Sequence, residues 1–178
     1  MPRSRAFPLL GLLGVLAGLG GTLNLGGCGG SRESGRRAQA RVVRVVDGDT
    51  VKVKLDGHTE SLRYIGMDTP EDKKPGVGVR CWSLKAAADN TRLVKGREVT
   101  LRFDRNARDR YGRLLAYVSR ASDGLFVNAE LVRLGDARAR PFPDNTAHRE
   151  EFARLASTAQ HRSVGLWRHC GNGGQDAF

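Results

Sequence analysis

Four short segments of the sequence concentrate acidic residues and arginines beside predicted strands. They are Asp47–Thr50, Arg63, Asp68–Glu71 and Asp109–Arg113. Each has an ordinary structural explanation by itself. Asp-Gly is a common turn dipeptide, an arginine within a strand usually faces solvent, Thr-Pro can simply end a strand, and Asp109–Arg113 could be a charged hairpin loop. The turn explanation accounts for Asp47 and Gly48 but does not particularly call for a second carboxylate at Asp49.

The residue types in these segments suit phosphodiester chemistry assisted by a metal ion. Asp49 and Asp68, at the ends of neighbouring strands, could supply the carboxylate oxygens that a hard cation such as calcium prefers. Arg63 and Arg113 could each bind two phosphate oxygens, because a guanidinium is planar. Glu71 lies three residues beyond Asp68, where it could take a proton from an attacking water or hold that water in line. Spacing alone leaves both this site and the structural explanations open.

The apolar pattern predicts the elements that must position these residues. The predicted strands are Arg41–Val46, Thr50–Leu55, Ser61–Met67, Val99–Asp104 and Leu114–Ser119. The predicted helices are Ser83–Val94, Asn128–Leu134 and Thr146–His161. Five strands with a helix after the third are typical of an OB-fold barrel, so the predicted class is mainly β with three helices. This fold commonly binds oligonucleotides, although a fold does not establish a function.

The first 27 residues predict an export signal rather than part of the folded domain. Two arginines near the start precede an apolar, glycine-rich run, and the segment leads into Leu25-Gly26-Gly27-Cys28. These four residues resemble a bacterial lipobox, in which the cysteine is lipid-modified and anchors the protein to a membrane. The alternatives are an ordinary signal peptide cut at another small residue and a retained membrane anchor.

Composition divides the rest of the chain into three predicted parts. Residues 28–40 are rich in Gly, Ser, Arg and Gln and predict a flexible tether. Residues 41–170 are expected to form the domain, and residues 171–178 a disordered tail. The domain is therefore expected outside the cytoplasm, either secreted or held as a membrane-anchored lipoprotein.

The net charge and the cysteines indicate which binding partners and which redox compartment to expect. The net charge of +11 favours polyanions such as nucleic acid, although many exported proteins are basic for other reasons. If Cys28 carries lipid, Cys81 and Cys170 remain as a pair, and a disulfide between them is expected in an oxidising compartment. Two unrelated thiols are the alternative. The sequence contains neither a CxxC pair nor an HExxH motif, so it predicts no zinc site.

Five motifs occur in order along the chain. They are V-x-x-V-x-D-G-D-T, L-R-Y-I-G-M-D-T-P-E, D-R-Y-G-R-x-L-A-Y-V, V-N-A-E-L-V and G-L-W. They run from about Val42 to Trp167, which is nearly all of the predicted exported part. No single motif is specific, but in residue type, order and spacing the set resembles the staphylococcal nuclease (thermonuclease) family.

The resemblance implies a calcium-dependent nuclease and gives roles to individual residues. Calcium ligands fall on Asp49, Asp68 and the backbone carbonyl of Thr69. The residues that bind phosphate and activate or orient water fall on Arg63, Arg113 and Glu71. A lysine–tyrosine pair that contacts the nucleotide in this family falls on Arg110 and Tyr111, where the charge is kept but the geometry differs. The implied reaction is hydrolysis of DNA and RNA by water, leaving 3′-phosphate ends.

The chain departs from the family pattern where tyrosines would line the nucleotide pocket. The corresponding stretch, Arg138–Pro143, contains no tyrosine. Stacking on such a residue typically contributes about 1–3 kcal/mol per base, so we expect an altered or weaker base preference with the chemistry retained. Phe142 could replace a tyrosine, or it could simply pack against the last helix.

Two other functions fit parts of the sequence. An OB-fold module that binds nucleic acid at the cell surface without cutting it is one, and a structural lipoprotein that is merely basic is the other. Neither needs the combination of carboxylates and arginines described above. The expected partners are DNA and RNA as substrate and a membrane through Cys28, and nothing in the sequence indicates a protein partner, so a monomer is expected.

Overall fold

The structure, a computed structural model, describes residues 35–71 and 78–178 of the chain. The predicted signal peptide, residues 28–34 of the predicted tether and the lipidation candidate Cys28 lie outside the described residues, as do residues 72–77. Within the described ranges, no helix combines the length and the apolar character that crossing a bilayer requires.

The described residues form seven strands and four α-helices. In chain order they are β1 (Arg37–Val45), β2 (Thr50–Leu55), β3 (His58–Tyr64), β4 (Met67–Asp68), α1 (Ser83–Val94), β5 (Glu98–Arg102), β6 (Leu114–Arg120), α2 (Val127–Arg133), β7 (Arg138–Ala139), α3 (Arg149–His161) and α4 (Leu166–His169). A short 3-10 segment, Asn172–Ala177, follows α4.

Five of the strands close into a barrel in the order β1-β2-β3-β6-β5. Neighbouring strands are antiparallel except β3 and β6, which are parallel. β4 pairs with β7 in a separate two-stranded sheet. The prediction of a five-stranded OB-fold barrel with a helix after its third strand is confirmed.

The β2–β3 hairpin shows how the sequence specifies the barrel. Val51 and Val53 are fully buried, whereas Lys52 and Lys54 between and after them are not, so one face of β2 joins the core. The turn residues Asp56-Gly57 both have positive φ angles, 49° and 82°. Such a pair suits a type I′ turn, whose twist matches that of the two strands it joins.

Gly66 fixes the segment that leads from the barrel into the candidate site. Its φ angle is +83°, and a Cβ at this position would lie 2.3 Å from the ring of Phe152 in α3. Only glycine tolerates both the angle and the contact, so the aromatic ring packs directly against the backbone. Gly66 thereby sets the direction in which the chain enters β4, which carries Asp68.

Two strand boundaries differ from the predictions. β1 begins at Arg37 rather than Arg41, because residues assigned to the tether pair with β5 in a register that joins Arg37 to Arg102. The predicted strand Ser61–Met67 is divided into β3 and β4 by the turn at Gly66. Composition does not reveal the start of β1, because it depends on pairing with the distant strand β5. It does not reveal the break at Gly66 either, because that break depends on a contact with α3.

The end of the chain is more ordered than the predicted disordered tail. The 3-10 segment forms there, and Ala177 is fully buried in a small apolar cluster with Leu166 and Cys170. This cluster also includes α4, a short helix that the sequence pattern did not predict.

The last predicted helix begins at Arg149 instead of Thr146.

Candidate active site

Asp49, the first predicted ligand, is held in a tight turn between β1 and β2. Its backbone N–H donates to Asp47 Oδ1 at 3.0 Å. A Cβ on Gly48 would lie 2.7 Å from Thr69 Oγ1, so the turn can approach Thr69 this closely only because residue 48 is glycine. The N–H and the hydroxyl of Thr69 each donate to Asp49 Oδ2 at 2.9 Å. The Asp-Gly-Asp-Thr turn therefore packs against the residue that follows β4.

Arg63 joins the two predicted carboxylate ligands. It pairs with Thr50 across β2 and β3 and is only 7% exposed, so it does not face solvent. Its guanidinium forms an ion pair with Asp49 Oδ1 and donates to Asp68 Oδ1 at 2.6 Å. Burial lowers the pKa of Arg63, against the opposing effect of Asp68 and Asp47. One buried cation thus holds two buried carboxylates together.

Asp68 accepts hydrogen bonds from three arginines. Besides Arg63, Arg138 donates to Oδ2 and Arg140 to Oδ1, each at 3.0 Å. Burial alone would raise the pKa of Asp68, but the charges of Arg63 and Arg140 and the hydrogen bonds from Arg140 and Arg138 hold that pKa below its ordinary value. The carboxylate is therefore ionised at neutral pH.

Sequence reasoning gave neither Arg138 nor Arg140 a role beyond marking the missing tyrosines. The register of β4 against β7 places Arg138 directly opposite Asp68, and the backbone N–H of Arg140 donates to the carbonyl of Gly66 at 2.9 Å. Two strands of two residues each leave almost no periodic pattern in a sequence. The only available signal was the repeated arginine in Arg138-Ala139-Arg140.

Glu71 is exposed and lines an open cavity of about 220 Å³. The other residues that line this cavity are Asp68, Thr69, Arg80, Arg138, Arg140 and Phe178. Arg80 lies next to Glu71, because its backbone N–H donates to the carbonyl of Glu71 at 3.0 Å. The predicted water-activating carboxylate therefore shares one cavity with two of the predicted cation ligands.

Arg113 lies in the turn that precedes β6. Its Nε and its backbone N–H donate to Asp109 at 2.7 and 3.0 Å. Its positive charge is near enough to help lower the pKa of Arg63, although burial is the main cause. Arg110 and Tyr111, from the same turn, are exposed and stacked, with the guanidinium 4.8 Å from the ring centre. None of these three residues lines the cavity described above.

The donor atoms of the site are of the kind that a hard cation prefers, and in this structure the oxygens of Asp49 and Asp68 are engaged by arginines and by Thr69. Asp49 and Asp68 contact the same guanidinium, that of Arg63. Thr69 follows Asp68 in the chain and donates a hydrogen bond to Asp49, so the oxygens of the three residues lie close together. Across the described residues, no group of three or more His, Cys, Asp or Glu side chains is placed to hold a metal ion. A cation here would therefore have two carboxylates, with backbone oxygen and water completing its shell.

Cys81 and Cys170 form a disulfide, with their Cα atoms 5.8 Å apart. It joins the residues just before α1 to the end of α4. The chain beyond it returns to the cavity, where the ring of Phe178 lies 3.8 Å from the guanidinium carbon of Arg138. The disulfide therefore secures the segment that brings an aromatic ring to the site.

Comparison with known proteins identifies relatives over the same part of the chain. Residues 61–169 match the family model described as "Staphylococcal nuclease homologue". The thermonuclease of Staphylococcus hyicus is 36% identical over 127 residues, which is 71% of this chain and 74% of that protein. The thermonuclease of Staphylococcus intermedius is 37% identical over 126 residues, again 71% and 74% of the two chains. The SPbeta prophage-derived endonuclease YokF of Bacillus subtilis is 39% identical over 126 residues, 70% of this chain and 42% of its own.

Proposed function

The chain belongs to the staphylococcal nuclease family and is a nuclease hydrolase, and from this premise we propose that it is a calcium-dependent enzyme that cuts DNA and RNA to products with 3′-phosphate ends. The observation that carries the proposal is the pair of buried carboxylates, Asp49 and Asp68, held on one buried arginine at the edge of a cavity that Glu71 lines. A protein with a purely structural role would not need this set of carboxylate oxygens and guanidinium groups.

Arg63 would bind the scissile phosphate from a fixed position. Its guanidinium is buried and its direction is set by Asp49 and Asp68, so little reorganisation is needed when charge develops on the phosphate. Arg113 would add a second guanidinium from the turn before β6, where Asp109 orients it. Both residues bind more strongly as the phosphate gains charge, which is what lowers the barrier.

Glu71 would take the proton of the attacking water. The oxygen of that water forms a bond to phosphorus, the bond from phosphorus to the 5′-oxygen breaks, and the leaving oxygen is protonated from solvent. The products carry a 3′-phosphate and a 5′-hydroxyl. Calcium bound by Asp49, Asp68 and the Thr69 carbonyl would supply Lewis-acid stabilisation of the phosphate charge.

We also propose that the enzyme acts outside the cytoplasm and is held at a membrane through Cys28. The support is the sequence pattern of the first 27 residues and of the lipobox-like segment that ends at this cysteine. A monomer is the simplest assembly, because the proposed site is built from one chain.

The test is cleavage of single-stranded DNA by the purified chain, with calcium and then with excess EGTA. Cleavage should require calcium, and Glu71→Gln should lower turnover by about 100-fold or more. Because Glu71 is exposed, the variant should melt at the same temperature as the wild type. Glu150→Gln, an exposed carboxylate in the first turn of α3, is the matched control and should cleave normally.

Two outcomes would contradict the proposal. Binding of DNA in calcium without any cleavage would favour the surface binding module. Full activity of Glu71→Gln would remove Glu71 from the mechanism, even if the chain is a nuclease.

A further inference from the structure

Arg138 and Arg140 differ from Arg63 in one respect that matters for binding. All three contact Asp68, but the side chain of Arg63 is 8% exposed, whereas those of Arg138 and Arg140 are 44% and 54% exposed. Arg63 is therefore largely enclosed, and its direction is fixed by Asp49 and Asp68. The other two lie at the surface of the cavity, where they can meet a ligand without leaving the protein.

The charge around the cavity exceeds what its carboxylates need. The charged side chains that line it are three arginines, Arg80, Arg138 and Arg140, and two carboxylates, Asp68 and Glu71. One carboxylate can be fully paired by a single arginine, yet Asp68 has three. A surplus of arginine on one wall of an open cavity favours an anionic ligand, and a bound calcium ion would increase the surplus.

The environment of Arg138 suits phosphate rather than a base. Phe178 covers one face of its guanidinium, at 3.8 Å, so that face is closed to a stacking base. Within the described residues, Asp68 is the only acceptor of a hydrogen bond from this guanidinium. A guanidinium that is already fixed by stacking loses less conformational freedom when it binds two phosphate oxygens.

We propose that Arg138 and Arg140, with Arg80 beside them, form a phosphate-binding subsite for the nucleotide next to the scissile one. The substrate strand is then held by its backbone at the place where the family pattern has aromatic residues for the base. This inference rests on the proposed function and makes it more specific, since it identifies single-stranded nucleic acid as a substrate that is bound with little regard to its bases.

The test measures binding to a single-stranded DNA and to an abasic strand of the same length, in calcium. The full chain carries Glu71→Gln so that the strand survives, and Kd is followed by fluorescence anisotropy as a function of salt concentration. Each of Arg138→Gln and Arg140→Gln should weaken binding about tenfold on both strands. Each should also reduce the slope of log K against log salt by about 0.7, the value for one lost contact with a single strand.

Arg162→Gln, an exposed arginine at the end of α3, is the control and should leave the slope unchanged. Calcium affinity without DNA, measured by calorimetry, should not fall in the two variants, because they remove competitors for Asp68. A fall in calcium affinity that accounts for the lost DNA binding would overturn the proposal.

Two further outcomes would also overturn it. These are unchanged salt slopes, and a loss confined to the strand with bases, which would show that the arginines read base edges. The nuclease proposal can fail independently of the subsite. If the wild-type chain does not cut DNA but the two variants show the expected decrease in salt slope, the subsite stands and the nuclease proposal fails. If the wild type cuts DNA in calcium but the variants leave the slope unchanged, the nuclease proposal stands and the subsite fails.

Discussion

Replacing Arg63 by glutamine should reduce stability as well as turnover, because Asp49 and Asp68 would lose their shared cation. Removing one partner of a buried ion pair typically costs about 3–5 kcal/mol. Asp68 keeps Arg138 and Arg140, so the loss falls mainly on Asp49, which retains only neutral donors from Thr69 among its described partners beyond its own turn. We therefore expect the lower end of the range, about 3 kcal/mol.

The measurement is urea unfolding in EGTA at pH 7, followed by tryptophan fluorescence. The midpoint should fall while the m-value stays the same, since the unfolded chain exposes the same surface. Arg162→Gln, an exposed arginine, should change the free energy of unfolding by less than about 0.5 kcal/mol. A loss below about 1 kcal/mol for Arg63→Gln would refute the conclusion that this residue sustains two buried carboxylates.

The pH dependence of the same variant gives a second check. The pKa of Asp68 is lowered in the folded state, where burial is outweighed by Arg63 and the other arginines. Its contribution to stability is therefore complete above the unfolded pKa and is lost as the pH falls through the lower, folded value. Without Arg63 the folded pKa rises towards the unfolded one, so Arg63→Gln should lose less stability than the wild type on acidification. An equal acid loss in both proteins would contradict this assignment.

Two further predictions concern stability. The disulfide between Cys81 and Cys170 joins residues 89 positions apart, and closing such a loop contributes about 4–5 kcal/mol by the chain-entropy relation. Replacing both cysteines by serine should lower Tm by about 10–15 °C, dithiothreitol should lower the wild-type Tm similarly, and an effect of dithiothreitol on the double variant would exclude the disulfide as its cause. Burial raises the pKa of Asp136 to about 7, with the hydrogen bond from Trp82 opposing it and the charge of Asp89 adding to it. Because the folded pKa lies above the unfolded value of 3.8, the folded state favours the protonated form, and stability is lost as pH rises from there through 7. Asp136→Asn should therefore gain stability relative to the wild type at pH 8 but not at pH 4, and an equal difference at both pH values would contradict the raised pKa.

The sequence predicts best those elements whose residues determine their own conformation. The bounds of β2 and α1 match the predictions, because β2 alternates apolar and charged residues up to an Asp-Gly turn and α1 stops before Gly96, whose φ angle is 72°. The bounds of β1 and β3 were predicted less well. Their ends are set by pairing with β5 and by the contact of Gly66 with Phe152, neither of which leaves a local pattern.

The candidate site shows the same limit. Spacing and family resemblance selected Asp49, Arg63, Asp68 and Glu71. In the structure Asp68 and Glu71 line one cavity, and Arg63 joins Asp68 to Asp49. The sequence could not identify Arg138 and Arg140 as site residues, because their contact with Asp68 depends on the register between two-residue strands about 70 positions apart. Burial of Arg63 was also beyond the pattern, since an arginine between apolar strand residues is usually exposed.

Burial divides the site residues into two groups with different expected behaviour. Asp49, Arg63 and Asp68 are each less than 9% exposed, and their contacts connect the turn after β1, the barrel strand β3 and the short strand β4. A change in any of them alters the fold and the chemistry together, so a loss of turnover there does not by itself demonstrate a catalytic role. Glu71 and Arg140 lie at the surface of the cavity. Their substitution can change turnover or binding while the barrel stays intact, so the decisive tests of the proposed function belong at these positions rather than at the buried ones.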